Sequence, residues 1–445
     1  MSDLPARDAQ DDEFPANARS VGALKTKSAA QIEKEVVWKR GEVLCASPAG
    51  ADGKARRAQL FDAGATADDV CQGGLGDCWL LSALACLATR PGAVRRAFVT
   101  QQLSPYGRYT LRLWDAPAKE WRLITVSDEF PCSAQSGEPL FTKPHGNELW
   151  VLLMEKAFAK FVGSYAALEG GHVVWALEAL TGDHVLKLMA EKGTSAWRRF
   201  NLTHFGKPGE ASSRLSFGLG TTNELHSGPE TFDLMRTYAA QRSVIGAGSG
   251  SGKDTASDAK HGIVQGHAYA VLRVLEVDNI KLLQLRNPWG SFEWDGPWSD
   301  KAPEWDRYPS IRRQLRGDAG AEDDGKFWME WSDFVMHFRM LDVCHRTTGV
   351  TELALDMNEE VGWCGPTLGC ITGCADYWCC CAGCRALCCA VESSDSTVEA
   401  KARPARRACA NLRLTCSSAR AARRVPEHHR RARQIRRGVS MRRLR

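Results

Sequence analysis

QGGLGDCWLLSALACLA, residues 72–88, joins a glycine-rich loop to an apolar run. The run from Trp79 to Leu87 lacks glycine and proline and is apolar on nearly every side, which predicts a helix buried inside the protein. The glycines before it predict a loop. Cys78 then stands at the helix N-terminus, where unpaired backbone N–H groups and the helix dipole favour a thiolate. We therefore interpret Cys78 as a reactive nucleophile, although many buried cysteines serve only as small apolar side chains.

A cysteine nucleophile needs a base, a group that orients the base, and donors for the oxyanion. His267, in VQGHAYAVL, is the candidate base because it follows a glycine at the start of an apolar strand. Asn287, which begins NPWG, can accept a hydrogen bond from the other imidazole nitrogen and so fix the tautomer. Trp289 would shield that hydrogen bond from water. The side-chain amide of Gln72 would join the backbone N–H of Cys78 in binding the oxyanion.

The composition is that of an ordinary soluble protein rather than a membrane-spanning or fibrous one. The chain has 445 residues, of which 44% are hydrophobic and 25% are charged, and this length predicts two or three domains. The N-terminus lacks the apolar core of a signal peptide, and no apolar run is long enough to span a bilayer. The cysteines before residue 350 are therefore interpreted as reduced thiols of a cytoplasmic protein.

Apolar periodicity predicts the main elements in the body of the chain. RYTLRLW and EWRLITV alternate as half-buried strands do, and HAYAVLRVLEV with KLLQLRNPW predicts a strand pair. NELWVLLMEKAFAKFVGSYAAL and FWMEWSDFVMHFRML have helical spacing, so each predicts an amphipathic helix. Residues 246–258, GAGSGSGKDTASD, predict a flexible polar loop.

These segments, in this order, resemble the protease core of the calpains, the calcium-dependent intracellular cysteine proteases. The similar stretches include DVCQGGLGDCWLLSALACLA, GIVQGHAYAVLRV and LRNPWGSFEWDGPWSD, within residues 30–347. The resemblance implies an α+β fold, the two-lobed papain-like core with a helical lobe and a β-barrel-like lobe. Cys78 would lie on the first lobe, and His267 and Asn287 on the second. Gly171 and Gly266 match glycines whose backbone holds an extended substrate.

The resemblance also implies two calcium sites, one in each lobe, whose occupation brings the lobes into catalytic register. Calcium prefers oxygen ligands, both carboxylates and carbonyls. The positions that match the first site are the carbonyls of Asp62 and Gly64 and the carboxylates of Asp69 and Glu148. The positions that match the second are the carboxylates of Glu293, Asp300 and Asp324 and the carbonyl of Glu322.

Two departures from the calpain pattern concern the second site. Lys326 stands where the family has a glutamate, and an ammonium group cannot ligate a cation. Ala67 stands where the family has the arginine that pairs with that glutamate across the lobes. We therefore expect one calcium site, a doubtful second site, and the loss of both halves of the link between the lobes.

Beyond Thr348 the chain becomes rich in cysteine. GWCGPTLGCITGCADYWCCCAGCRALCC is compatible with three interpretations. S-acylation, which we favour, would combine with the basic residues that follow into a membrane anchor. Zinc binding is less favoured because Cys381 and Cys384 form the only CxxC in the cluster. A disulfide-linked or cysteine-rich interaction module is the third interpretation.

The end of the chain is strongly basic. Residues 401–445 contain 16 Lys and Arg residues against Glu427 alone, so the rest of the chain carries a net charge of −10 within a total of +5. Such a tail is too polar to fold by itself, and it suits anionic lipid or nucleic-acid phosphates. It has no aromatic residue for base stacking, so specific recognition of nucleic acid is not expected. Translation from a wrong frame or a retained intron is an alternative origin for this composition.

These observations predict five regions and a function. The regions are a disordered segment over 1–30, a Cys lobe over 31–185, a His/Asn lobe over 186–348, a Cys-rich segment over 349–395 and a basic low-complexity tail over 396–445. We interpret the protein as a calcium-regulated cysteine endopeptidase that cleaves protein substrates through Cys78, His267 and Asn287. The alternative is a catalytically silent adaptor with the calpain fold, tethered to a membrane or a partner by its tail.

Overall fold

A computed structural model describes residues 11–25, 27–46, 56–62, 64–204, 210–211, 214–215, 217–316 and 322–345. The predicted Cys-rich segment and basic tail lie outside these residues. The helices are α1 Ala18–Val21, α2 Ala29–Glu35, α3 Gly41–Leu44, α4 Cys78–Ala88, α5 Ala93–Arg96, α6 Trp150–Val162, α7 Val173–Thr181, α8 Gly228–Ala240, α9 Glu304–Arg307, α10 Pro309–Leu315 and α11 Trp331–His337. The strands are β1 Val36–Arg40, β2 Arg108–Asp115, β3 Glu120–Ser127, β4 Glu129–Ser133, β5 His184–Ala190, β6 Trp197–His204, β7 Phe217–His226, β8 Val244–Ser249, β9 Ala268–Val277, β10 Ile280–Arg286, β11 Lys326–Glu330 and β12 Phe338–His345.

Helix α4 is the buried helix predicted from the opening stretch. It begins at Cys78, and every residue from Cys78 to Leu87 is buried. It packs against α7 on one side and against β8 and β9 on the other. The predicted helix around residues 147–168 is confirmed as α6, and the two alternating segments before it form the hairpin β2–β3.

The second half of the chain builds one antiparallel sheet in the order β11-β10-β9-β8-β12-β5-β6-β7. The predicted strand pair is β9–β10, which pairs from Ile280 opposite Val277 to Arg286 opposite Ala270. The mixed helical and β architecture agrees with the predicted α+β class. The described strands end at β11 and β7, which are not neighbours, so they form an open sheet rather than the expected barrel-like closure.

The two faces of this sheet enter different cores because side chains alternate along each strand. Ala268 and Ala270 of β9 join the core around α4, while Tyr269 and Val271 join the core on the other face. The face toward the helices carries small residues. A Cβ on Gly246 of β8 would lie 2.7 Å from Val173 Cγ1 of α7. Small side chains therefore let the helices of one lobe lie directly on the sheet of the other.

The N-terminal residues differ from the prediction of disorder over 1–30. Among the described residues of that segment, α1 is capped by Asn17, whose Oδ1 accepts from the Arg19 N–H at 3.0 Å. Phe14 and Val21 are buried in the core that contains α4. A few well-placed apolar side chains are enough to dock an otherwise polar segment, and composition averages conceal them.

The predicted helix in FWMEWSDFVMHFRML is wrong as a single element. The chain forms β11, then the short α11, then β12, which lies between β8 and β5. The segment is rich in aromatic residues, which fit a pleated sheet. Strand pairing with distant parts of the chain has overridden the local helical spacing.

The close approach of α7 to β8 generates a stability prediction. We expect Gly246→Ala to lower the free energy of unfolding by about 1–3 kcal/mol, because the added methyl overlaps Val173. Val173→Ala in the same background should recover part of the loss. Urea unfolding measures both. Gly220→Ala is the control, because its Cβ would meet no atom nearer than 3.4 Å. Equal losses for the two glycine variants would contradict the proposed packing.

Candidate active site

Cys78 and His267 are brought together by the contact between α4 and β9. Cys78 is the first residue of α4, and His267 directly precedes β9. The backbone of Ala268, the first residue of β9, hydrogen-bonds the Cys78 sulfur. Ser249 at the end of β8 fixes the His267 backbone, since its hydroxyl accepts from the His267 N–H at 3.0 Å.

The His267 ring is oriented by Asn287. Its Nε2 lies 2.9 Å from Asn287 Oδ1, and Asn287 Nδ2 donates to the Phe292 carbonyl at 2.9 Å. Because Oδ1 is thereby the acceptor, Nε2 carries the hydrogen and Nδ1 of a neutral ring presents its lone pair to the nucleophile side. Both residues are buried. The structure thus brings Cys78, His267 and Asn287 together as the sequence predicted.

Two aromatic rings enclose the imidazole. The Trp289 ring centroid lies 5.0 Å from that of His267. The Tyr269 ring centroid lies at the same distance, and its ring packs edge-to-face with the imidazole. The backbone N–H of Trp289 also donates to Asn287 Oδ1 at 3.1 Å. Trp289, the residue predicted to shield the hydrogen bond, thus lies beside the imidazole, and Tyr269 is an additional neighbour that the sequence did not single out.

The loop before α4 is held by both lobes. The Gln72 backbone N–H donates to the Pro288 carbonyl at 2.9 Å, and Gln72 Nε2 donates to Leu75 O at 2.8 Å. An amide NH₂ has two hydrogens, so one N–H remains for a ligand. Gly73 packs so closely on Phe141 that any side chain would overlap the Phe141 carbonyl. This packing explains the glycine at position 73.

The two glycines predicted to hold substrate are each packed against a segment next to a site residue. Gly171 packs against the Trp79 indole, where a Cβ would lie 2.6 Å from the ring. Gly266 has a φ of +71°, and a Cβ there would lie 2.5 Å from Gly252 O. Side chains are excluded at both positions, which leaves their backbone open to an extended ligand.

Asp254 is the residue that the sequence interpretation missed. Its Oδ1 lies 2.6 Å from His267 Nδ1. The His267 side chain is fully buried, and the Asp254 side chain is 24% exposed. The Cys78 sulfur, the Asp254 carboxylate and His267 Nδ1 all lie within 4.8 Å of one another. Residues 246–249 belong to buried strand β8, so only the later part of the predicted polar loop is a loop.

The loop that carries Asp254 is tightly packed. The Asp254 N–H donates to Gln265 O at 2.9 Å, and a Cβ on Gly252 would lie 2.2 Å from Gln265 Cβ. Asp254 itself has a φ of +55°, a conformation that aspartate tolerates better than most residues. The signal in the sequence was the alternating glycines before Asp254, which allow one backbone segment to approach another.

The Cys78 thiol is protonated in this arrangement. Burial raises its pKa, and the Asp254 carboxylate raises it further, against the Ala268 hydrogen bond, which lowers it. The helix N-terminus had led us to expect a thiolate. Burial and the facing carboxylate oppose that effect here, because both disfavour a second negative charge.

Comparison with known proteins agrees with this arrangement. A model of the calpain family of cysteine proteases matches residues 9–345. This chain belongs to the calpain family.

Among calpain relatives, a calpain-type cysteine protease named DEK1 from Arabidopsis thaliana is 37% identical over 370 residues, which cover 82% of this chain and 15% of that protein. Calpain-9 of Rattus norvegicus is 32% identical over 353 residues, covering 77% of this chain and 43% of calpain-9. The calpain-2 catalytic subunit of Mus musculus is 31% identical over 349 residues, covering 76% and 43%. This chain spans less than half the length of each of these relatives. Within its described residues, no helix is long and apolar enough to cross a bilayer.

The positions that match the first calpain calcium site lie beside the Cys78 loop. The Asp62 N–H donates to Glu148 Oε1, and Gly64 follows in the same loop. Asp69 Oδ2 accepts from the Trp150 ring N–H at 3.0 Å. Burial raises the pKa of Glu148 to about 8, and the nearby Asp69 charge contributes in the same direction. The carboxyl groups of Glu148 and Asp69 therefore lie close together in a partly buried environment.

The positions that match the second calcium site are already in contact with cations. The Lys326 ammonium lies 2.9 Å from Asp324 Oδ2, and the Arg316 guanidinium lies 3.6 Å from Asp300 Oδ1. The Glu322 backbone hydrogen-bonds Asp300. Glu293 accepts from the Gly325 N–H at 2.8 Å, and burial, followed by Asp300 and Asp324, raises its pKa to about 7.

The expected loss of the link between the lobes needs correction. Lys326 Nζ lies 3.0 Å from Asp68 Oδ2, and the buried Arg286 donates to the carbonyl of Val70 at 2.9 Å. Asp68 is the neighbour of Ala67. A charged link therefore exists with its signs reversed and its acidic partner moved by one residue along the chain.

A buried acid pair supports the start of α4. Asp77, directly before Cys78, contacts Glu155 of α6, whose Oε1 accepts from the Thr142 N–H at 3.0 Å. Burial raises the pKa of Asp77, with the Glu155 charge adding to it, and burial raises the pKa of Glu155 to about 7. Two carboxyl groups in contact in a dry place retain a proton.

This pair generates a pH prediction. The folded protein holds the Glu155 proton more tightly than the unfolded chain does, so the free energy of unfolding should fall as pH rises from about 4.5 to about 7. In Glu155→Gln, the fall in the free energy of unfolding across this pH window should be smaller by on the order of 1–3 kcal/mol. Urea unfolding at several pH values measures it, with the exposed Glu138→Gln as control. An unchanged slope in Glu155→Gln would contradict the assignment.

Proposed function

We propose that this chain is a calcium-regulated cysteine endopeptidase acting on protein substrates. The observation that carries the proposal is the buried His267, which is bonded to Asn287 through Nε2 and faces the Cys78 side with Nδ1. The ring can therefore take a proton at one nitrogen without losing its orientation at the other.

The proposed reaction uses these groups in sequence. His267 Nδ1 takes the proton of the Cys78 thiol, and the thiolate attacks the peptide carbonyl. The free N–H of the Gln72 amide and the backbone N–H of Cys78 bind the oxyanion. The imidazolium then donates its proton to the leaving amine, and water, deprotonated by His267, hydrolyses the thioester. Trp289 keeps water from the hydrogen bond between His267 and Asn287.

Asp254 makes the described arrangement a resting one. Its carboxylate contacts the nitrogen that must receive the thiol proton, and it raises the pKa of Cys78. A substrate that enters between Gly171 and Gly266 has to displace the Asp254 side chain, which is partly exposed and on a loop. We propose that this displacement restores the exchange of a proton between Cys78 and His267.

We propose one calcium site, at Asp62, Gly64, Asp69 and Glu148. These residues supply only oxygen ligands, which suit calcium. The raised pKa of Glu148 supports the assignment, because a cation would relieve the repulsion between Glu148 and Asp69. When bound, calcium would supply positive charge that holds the loop before Cys78 against the start of α6.

The second site fits calcium poorly, since Lys326 and Arg316 already pair with two of its three carboxylates. We propose that the Lys326 ammonium takes over the role of a cation there, and that it ties Asp324 of one lobe to Asp68 of the other. Coupling between the lobes would then depend less on calcium than in a chain with two open sites.

The adaptor alternative gains no support from the described contacts. An adaptor would have no need to keep Asn287 bonded to His267 or to seat Cys78 beside it. Membrane attachment through the cysteines of 349–395 and the basic tail stays a prediction, because those residues lie outside the part of the chain described.

An activity assay tests the proposed reaction. We expect the unmodified chain to cleave a casein-like substrate, faster with calcium than with a chelator, and Cys78→Ala to lower the rate at least about a thousandfold. Cys132→Ala, another buried thiol remote from His267, is the matched control and should retain activity. If the unmodified chain cleaves no faster than Cys78→Ala under either condition, the adaptor interpretation replaces the enzyme.

A calcium titration tests the assignment of the two sites. We expect the unmodified chain to bind one calcium ion by calorimetry. Lys326→Glu should create a second site, because it removes an ammonium group and adds a carboxylate beside Asp324. Lys192→Glu, an exposed change elsewhere on the same lobe, should leave one site. Two ions bound by the unmodified chain, or one bound by Lys326→Glu, would contradict the assignment.

A further inference from the structure

Three different ligand types meet at the active site. The Cys78 sulfur, His267 Nδ1 and an Asp254 carboxylate oxygen lie within 4.8 Å of one another, and the described residues hold no second group of three side-chain ligands as close. We propose that Cys78, His267 and Asp254 form a Zn²⁺ site whose occupation reversibly inhibits the protease. The inhibition rests on the proposed function, whereas zinc binding itself does not.

The contact between Asp254 and His267 calls for a cation. Because Nε2 donates to Asn287, a neutral His267 presents a lone pair at Nδ1, only 2.6 Å from Asp254 Oδ1. Two lone pairs at that distance repel each other unless a proton or a metal ion lies between them. A metal ion can occupy that place, provided that the ligands fit that metal.

The ligand set selects zinc over calcium. Thiolate, imidazole and carboxylate are the three ligands that Zn²⁺ uses in proteins, most often in a tetrahedron. Calcium prefers six to eight oxygens and has little affinity for sulfur or nitrogen. Three protein ligands leave the fourth position for water, and the 24% exposure of the Asp254 side chain gives the ion and that water a route to the otherwise buried site.

The site is supported by residues behind its ligands. Asn287 holds the second nitrogen of His267, which is the usual arrangement for a metal-binding histidine. The hydrogen bond from the Asp254 N–H to Gln265 keeps the carboxylate over the ring. Zinc–ligand bonds of about 2.0–2.3 Å place tetrahedral ligands roughly 3.3–3.7 Å apart. The Asp254 oxygen therefore has to withdraw from Nδ1 by about 1 Å, toward the solvent side of its loop.

Binding balances in charge and protons. The Cys78 thiol loses its proton to solvent as the zinc–sulfur bond forms, and His267 binds through Nδ1 as the neutral imidazole, so that any proton on Nδ1 also leaves to solvent. While zinc is bound, the Cys78 sulfur and His267 Nδ1 are both bonded to the metal. The thiolate therefore cannot attack a peptide carbonyl, and Nδ1 cannot accept a proton. Chelation of the metal reverses each of these steps.

The experiment compares zinc binding and inhibition in matched variants of the full chain. Asp254→Asn keeps the shape and the positive φ of Asp254 but removes its charge. Asp278→Asn is the control, because Asp278 also has a φ near +50° and lies in an exposed hairpin turn away from the site. Zn²⁺ binding is measured by calorimetry without substrate, and Co²⁺ replaces Zn²⁺ to reveal a cobalt–thiolate charge-transfer band. Inhibition by Zn²⁺ is normalised to the uninhibited rate of each variant.

We expect the unmodified chain to bind one zinc ion more than Cys78→Ala does, and the affinity for that ion to be about 10- to 100-fold weaker in Asp254→Asn. Half-inhibition should shift by the same factor, and Asp278→Asn should behave as the unmodified chain. Equal zinc affinity in Asp254→Asn and the unmodified chain would overturn the three-ligand site, as would a cobalt–thiolate band of equal intensity in the unmodified chain and in Cys78→Ala. A chain that binds zinc in this way but cleaves no substrate would retain the site and refute the peptidase proposal instead.

Discussion

The packing of α4 on β8 and β9 is the contact on which the rest of the structure depends. It is made of small residues on the sheet and an almost wholly apolar helix, so the helical lobe and the sheet share one core. Cys86 of α4 donates to the Ile245 carbonyl of β8 at 3.1 Å, which fixes the helix along the strand. Since Cys78 begins α4 and His267 precedes β9, the same packing sets the distance between nucleophile and base. A shift of this helix would therefore separate Cys78 from His267.

The site gains its control from competition for one nitrogen. His267 Nδ1 faces both the Cys78 sulfur and the Asp254 carboxylate, and only one of them can use it at a time. The carboxylate has the advantage in the described state because burial keeps the thiol neutral. In the proposed reaction, an entering substrate displaces Asp254 and shifts the balance toward the thiol. The loop between β8 and β9 would then take part in the chemistry as well as connect two strands.

The sequence predicted the local elements well and the distant contacts poorly. Helix α4 and the β9–β10 pair were readable because their periodicity is unbroken and their burial is one-sided or complete. The segment around Trp331 was not, because its aromatic residues fit either a helix or a strand until its sheet partners are known. Asp254 reaches His267 through loop packing over 13 positions, and Lys326 reaches Asp68 across 258. No periodic pattern in the sequence encodes such contacts. Ala67 and Lys326, considered one at a time, therefore predict that the charge pair between the lobes is lost, whereas it has moved to Asp68 and Lys326.

The acidic side chains of this protein are neutralised by different means. Asp77 and Glu155 retain a proton, and Asp324 is paired with the Lys326 ammonium group. Neither pair should bind a metal ion strongly, because a lysine ammonium group or a retained proton already compensates the negative charge. Glu148 differs: burial raises its pKa to about 8, and the nearby Asp69 charge adds to that effect. We therefore expect a diffusible cation to act most strongly at Glu148, which accepts from the Asp62 N–H just before α6. Calcium would thus regulate the lobe that carries Cys78, whereas Lys326 would link that lobe to the other one whether or not calcium is bound.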